Sequence, residues 1–182
     1  MRIRVLREHY CADCRIVRRS PRSTGVKLLL SVADAAGMSV LDFGCSNWRN
    51  SAYLESLGAR AVRMDAIPDT RPDVVAYPTH LPFRDGAFDV VLYTHVLMFL
   101  ERKEDWPAAV AEAARVAKRY LVLETYMVKH PGALRYGVED LFELVRGLSV
   151  VRRNVRLDMQ NLVISLRPSS SPPSSRTSRR SS

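Results

Sequence analysis

The stretch VLDFGCSNWRNS, Val40 to Ser51, constrains this chain more than any other. It reads as an apolar strand that stops at a glycine, then a tight turn, then the start of a helix. Asp65 closes a second short strand, AVRMD. In an open α/β sheet the carboxyl ends of the strands open a crevice, and backbone approaches a ligand only where side chains are small, so a nucleotide-like ligand belongs above such a turn. A carboxylate ending the next strand is placed to accept hydrogen bonds from both hydroxyls of a ribose. The reading is an adenosine-binding α/β domain.

The remaining pattern extends that unit into one sheet. Residues 25–37 carry apolar residues at helical spacing and end in Gly37, which predicts a helix before the first strand, Ser39 to Cys45. Helical signal returns over Asn47 to Leu57, and Ala59 to Ala66 reads as the second strand. IPDTRPD is too short and too rich in proline for a crossover helix, so an extended loop must reach the next strand, Val74 to Tyr77. Val90 to Tyr93, a helix over Glu104 to Lys118, and Tyr120 to Tyr126 follow. A helix over Val138 to Arg146 and two strands, Leu148 to Arg156 and Asn161 to Arg167, suit an antiparallel closing pair. The fold class is therefore α/β: a Rossmann-like, mostly parallel sheet with an antiparallel closing strand and helices on both faces, in a single domain over residues 25–167.

Charge separates the ends from that body. The chain of 182 residues has a formal net charge of +9, yet residues 26–166 hold 17 basic and 17 acidic side chains. The excess lies in an Arg-rich extension over residues 1–24, in Arg167 and in a tail over residues 168–182, SSSPPSSRTSRRSS after Pro168, whose composition cannot build a core. Such ends suit an anionic or RNA partner, while the body does not read as a nucleic-acid-binding surface. Three cysteines make no disulfide framework, and MRIRVLREHY lacks the apolar core of a secretion signal, so a cytoplasmic setting is expected. The most apolar window, VVLYTHVLMFL, is about half of what crosses a bilayer, so no membrane partner is expected. His9, Cys11 and Cys14 offer half a zinc site without a second pair, and no metal is expected.

Together, VLDFGC, the acid ending the second strand, LPFRDGAFDVV, the hydrophobic segment after the fourth strand and EAARVAK resemble the class I S-adenosylmethionine-dependent methyltransferases. The pattern is methyltransferase-11-like, and RNSAYLESLGA and VLMFLE are similar to the tellurite-resistance methyltransferases. The resemblance implies S-adenosylmethionine as cofactor. It implies that Asp42 faces the methionine amino group, that Gly44 and Cys45 offer backbone to methionine and ribose, and that Asp65 takes the ribose hydroxyls. Ala66 is then expected beside adenine, Pro78 and Thr79 at its edge, and Tyr93 at the start of the segment beside the sulfonium. The residues agree independently: the turn carries no G-x-G-x-x-G for a pyrophosphate, and a cationic cofactor without phosphate suits carboxylates.

Three departures stand out. Ser46 and Trp48 occupy positions where this family places glycine, so the indole must swing outward or fill the ligand's space. Tyr77-Pro78 supplies neither carboxylate nor N–H at the adenine edge. Lys118-Arg119-Tyr120 replaces a Pro-Gly-Gly turn. On the acceptor side His95 is the candidate catalytic base, and Glu124 and Tyr126 end the fifth strand at the same face. The expected activity is methyl transfer to a small-molecule or RNA-associated acceptor; the alternative is a non-catalytic scaffold of the same fold with a degenerate cofactor site.

Overall fold

The computed structural model describes residues 22–126, 133–156 and 159–166. The His9, Cys11 and Cys14 cluster and the Ser/Arg tail lie outside the described residues.

Seven strands form one sheet: β1 (Ser39–Phe43), β2 (Arg60–Asp65), β3 (Val74–Val75), β4 (Phe88–Thr94), β5 (Ala117–Tyr126), β6 (Ser149–Val155) and β7 (Met159–Ser165). Their order is β3-β2-β1-β4-β5-β7-β6. β1 to β5 pair in parallel, and β7 runs antiparallel to both β5 and β6. The expected architecture is present, including the closing hairpin. β2 reaches β3 through only a 3-10 turn, Pro68–Thr70.

Period-two alternation in the strands feeds two cores. Leu41, Phe43, Val91, Tyr93, Leu121 and Leu123 face α3 (Trp106–Val116) and α4 (Val138–Leu144). Val40, Val90, Leu92 and Val122 face α1 (Thr24–Leu30) and α2 (Arg49–Glu55). On this second face the apolar run gives way, at the carboxyl ends of the parallel strands, to a buried polar residue, Asp42 on β1, Thr94 on β4 and Glu124 on β5, joined by Asn161 near the amino end of antiparallel β7. Thr94, Glu124 and Asn161 are direct partners in the ladder.

Local chemistry explains where elements stop. Ser23 caps α1 by accepting the Val26 N–H, and Arg22 Nη1 donates to the Tyr53 hydroxyl at 2.6 Å. The helix ends at Leu30 rather than at Gly37. Asp34 accepts the Ala36 N–H at 3.0 Å and so offers the backbone a turn in place of another helical bond. At the fourth strand, Ser39 and Asp89 exchange backbone and side-chain bonds of 2.9–3.0 Å, which starts the β1–β4 pairing early. α3 passes into β5 with no intervening loop, so Lys118-Arg119-Tyr120 lies within the strand.

Candidate functional site

Two groups of polar side chains meet the strand tips, one above β1 and β2 and one above β4 and β5. The first is built by the turn after β1. Gly44, Ser46 and Trp48 all adopt left-handed backbone, with φ of +72°, +44° and +63°. That conformation costs a non-glycine residue about 1–2 kcal/mol, so Ser46 and Trp48 hold a glycine-like path at the expense of local strain. Glycine is required at 44 for a second reason: a Cβ there would lie 2.6 Å from Val96 Cγ2. The folded-back turn directs the Gly44 and Cys45 N–H groups to the Met64 carbonyl at 2.8 and 3.1 Å, and the Cys45 carbonyl accepts the Trp48 N–H at 2.7 Å.

Both acids of this group bond to backbone. Asp65 is buried and accepts the Ser46 N–H on Oδ2 and the Ile67 N–H on Oδ1, each at 3.1 Å. Burial raises its pKa, opposed chiefly by those N–H groups. Asp42 accepts the Ser51 N–H at 3.0 Å on Oδ2, while Oδ1 is buried with no partner among the described residues. Burial pushes its carboxyl up to about 6 against the Ser51 bonds and the Arg63 and Arg49 charges. Burial and the two acids push the Cys45 thiol to about 12, so Cys45 fills space and supplies no nucleophile.

Trp48 takes the outward course. Its Nε1–H donates to the Thr70 carbonyl at 3.0 Å, Arg63 lies over its ring at 5.3 Å, and the residue is 37% exposed. Ala66, half-buried, follows Asp65 directly. Pro78 is buried, Thr79 Oγ1 lies 2.9 Å from His80 Nδ1, and Tyr77 is exposed. Arg115 fixes the loop that follows, donating to the Leu81 and Phe83 carbonyls and to Asp85, while Glu112 accepts the Leu81 N–H at 2.9 Å.

The second group is held by side chains. His95 has φ +59°, uncommon for a residue with a Cβ. Its backbone N–H donates to the Glu124 carbonyl at 2.7 Å, and its Nε2 lies 2.9 Å from Glu124 Oε1. The ring meets Tyr126 edge-on at 4.6 Å. Glu124 Oε2 accepts the Gly25 N–H at 2.5 Å, and a Cβ on Gly25 would lie 2.7 Å from Val122 and 2.8 Å from that carboxylate. Burial pulls the Glu124 carboxyl up, but His95, Gly25 and Ser23 outweigh it and leave the pKa lowered. Beside this, Asn50 accepts the Ser23 N–H at 2.8 Å and donates to Thr94 Oγ1 at 3.2 Å. Asn50 and Thr94 were not foreseen; a lone polar residue in VVLYTH was the available signal for Thr94.

Tyr93 differs from what its position suggested. It shares a face with Val91 and packs on Phe43 at 5.1 Å, fully buried in the α3 core. Only its backbone approaches the strand tip. Among the described residues no cluster of metal-ligating side chains occurs, and no helix is long and apolar enough to cross a membrane.

The donor set fits an adenosyl sulfonium cofactor at its ribose and methionine ends. Asp65, whose carboxylate also accepts from Ala66 and Thr70, places a buried acid at the end of β2 for the ribose, and the orphaned Asp42 Oδ1 lacks the donor an ammonium group would bring. At the adenine edge the fit relies on shape and on the loop held by Arg115, since Pro78 has no N–H.

Residues 41–122 match the family model described as a methyltransferase domain. No curated protein sequence matches the chain. Among solved structures, magnesium protoporphyrin IX methyltransferase from Synechocystis with bound S-adenosylmethionine is 20% identical, with a TM-score of 0.61 over 77% of this chain and 75% of that one. A TehB-like methyltransferase from Corynebacterium glutamicum is 19% identical, with a TM-score of 0.61 over 77% and 85%. The 1,6-didemethyltoxoflavin-N1-methyltransferase of Burkholderia thailandensis is 17% identical, with a TM-score of 0.62 over 84% and 80%. Residues 41–122 thus carry the pattern of a methyltransferase domain, and the chain shares the fold of these S-adenosylmethionine-dependent methyltransferase structures.

Proposed function

We propose that the chain transfers a methyl group from S-adenosylmethionine to a small-molecule acceptor, with Asp42, Gly44, Cys45, Asp65, Ala66, Pro78 and Thr79 holding the cofactor and His95 serving as base. The observation that carries this is the pair of buried carboxylates, Asp42 and Asp65, at adjacent strand tips, with Asp42 Oδ1 left without a partner among the described residues. Two carboxylates kept in place of a phosphate-binding glycine loop favour a cationic ligand.

When bound, the cofactor supplies an electrophilic methyl group on a sulfonium. The chain's own work is then to orient and to exclude water. Asp65 accepts from the ribose hydroxyls, Asp42 from the methionine ammonium, and Tyr93 anchors the β4 tip from below without touching the reactants. Magnesium protoporphyrin IX and 1,6-didemethyltoxoflavin, named with two of the similar structures, are small molecules, which supports an acceptor of that class. The Arg-rich ends suit recruitment of an anionic or RNA partner, which predicts affinity for RNA that falls steeply with salt.

Calorimetry with S-adenosylmethionine and with its demethylated product tests the reading. Micromolar binding that Asp65→Ala abolishes, in a variant still folded by circular dichroism, is expected. No heat from the wild type with either ligand sinks it and leaves the scaffold role.

A further inference from the structure

The His95–Glu124 pair has features that a simple buried ion pair does not require. Glu124 is 2% exposed and fully engaged: Oε1 meets His95 Nε2 at 2.9 Å and Oε2 takes the Gly25 N–H at 2.5 Å. The carboxylate is thus clamped between α1 and β4 before it touches the ring. A carboxylate only accepts, so the neutral imidazole must carry its proton on Nε2 and present a bare lone pair at Nδ1. Nδ1 has no hydrogen-bond partner among the described residues, and the backbone beneath it is left-handed at φ +59°. An unpaired buried acceptor on a strained residue at a strand tip calls for a donor from outside.

We propose that Glu124 is the positioning residue of a His95 base, and that the acceptor this pair serves is a hydroxyl compound, a phenol or an alcohol. The assignment rests on the methyl-transfer reading above. An aromatic thiol is ionised at neutrality and an aromatic amine already has a free lone pair, so neither needs such a base, whereas a hydroxyl must lose its proton as it gains the methyl group. In the step, the acceptor oxygen forms a bond to the methyl carbon while the carbon–sulfur bond breaks and its electron pair stays on sulfur. The hydroxyl proton passes to Nδ1, the ring becomes a cation beside the Glu124 carboxylate, and the proton then leaves to solvent. Tyr126, edge-on to the ring, keeps it from swinging away.

Glu124→Gln separates positioning from packing, because the amide keeps the shape but can donate as well as accept. Catechol and thiophenol serve as probe acceptors. The expected result for the variant is about a 10- to 100-fold loss of kcat with catechol, with KM for S-adenosylmethionine and turnover of the thiol each within about threefold of wild type. Nitrogen NMR of the imidazole, read without cofactor, should show Nε2–H with bare Nδ1 in the wild type and Nδ1–H gaining population in Glu124→Gln. His95→Gln should lose the same catechol activity and carries the test if Glu124→Gln does not fold. A wild-type ring protonated on Nδ1, or a variant with unchanged tautomer and kcat, overturns the assignment; so do phenols and alcohols that are ignored while thiols are methylated. Absence of cofactor heat in the wild type overturns the underlying methyl-transfer reading instead, and the tautomer result identifies which of the two has failed.

Discussion

The tips of β1–β2 and of β4–β5 both bury carboxylates on this sheet, and they hold them in opposite ways. Asp42 is met by the Ser51 N–H and side chain and by the charges of Arg63 and Arg49, yet burial dominates and the pKa rises to about 6. Glu124 is met by an imidazole and an N–H, so its pKa falls below the ordinary value despite burial. The second acid is held by partners drawn from two other elements. A site that awaits a cation keeps an acid short of partners, whereas a site that tunes a base supplies them in advance.

The most forceful way to break this contrast is at the glycines beneath each group. Gly44→Ala imposes a left-handed Cβ 2.6 Å from Val96 and is expected to cost about 2–4 kcal/mol in urea unfolding. Gly25→Ala meets Val122 and the Glu124 carboxylate without that backbone strain and should cost about 1–3 kcal/mol. If Gly25→Ala proves the more damaging, the turn is not the stiffer of the two groups.

The pH dependence sharpens it. An acid with a raised folded pKa costs nothing below its unfolded value of 3.8 and destabilises progressively as pH rises toward and past about 6. Asp42→Asn should therefore gain on wild type across that window, by about 2–3 kcal/mol at pH 7.5. Glu124 has the opposite sign: its contribution is present above the unfolded pKa and is lost as pH falls through the lowered folded pKa. Denaturant melts of Asp42→Asn and Glu124→Gln from pH 3.5 to 7.5 should both depart from wild type toward high pH but with opposite sign, the first more stable and the second less. Parallel curves would remove the distinction.

Smaller effects probe the turn itself. Ser46→Gly keeps the N–H that Asp65 accepts and relieves a left-handed φ, so it should stabilise by about 1 kcal/mol, read as a raised melting temperature. Trp48→Phe loses only the bond to the Thr70 carbonyl on a residue more than a third exposed, which should cost about 0.5–1 kcal/mol and leave cofactor affinity within about threefold. A much larger loss of affinity would place the indole against the ligand.

The legible half of this protein was the local one. Asp42, Gly44 and Asp65 lie on a strand, a turn and the next strand, so their relation follows from short-range chain geometry that composition and spacing report directly. The mostly parallel sheet and its closing hairpin were legible for the same reason. Less legible was what depends on which face a residue takes. Tyr93 seemed to belong to the reacting end, but alternation along β4 turns it into the core with Phe43. Helix α1 ends at Leu30, short of its apolar pattern, and beyond it Asp34 takes the Ala36 N–H in a turn.

By itself, then, the sequence determined the α/β alternation, the single turn that replaces a glycine-rich loop, and the two acids flanking it, because each is written in consecutive residues. Only the tertiary structure decided that Trp48 leans out onto Thr70, and that Gly25, His95 and Glu124 join. Gly25 and Glu124 stand 99 positions apart in the chain and meet because the parallel crossovers put α1 over β5. No local pattern encodes that meeting, since its free energy belongs to the packed sheet and not to any one segment.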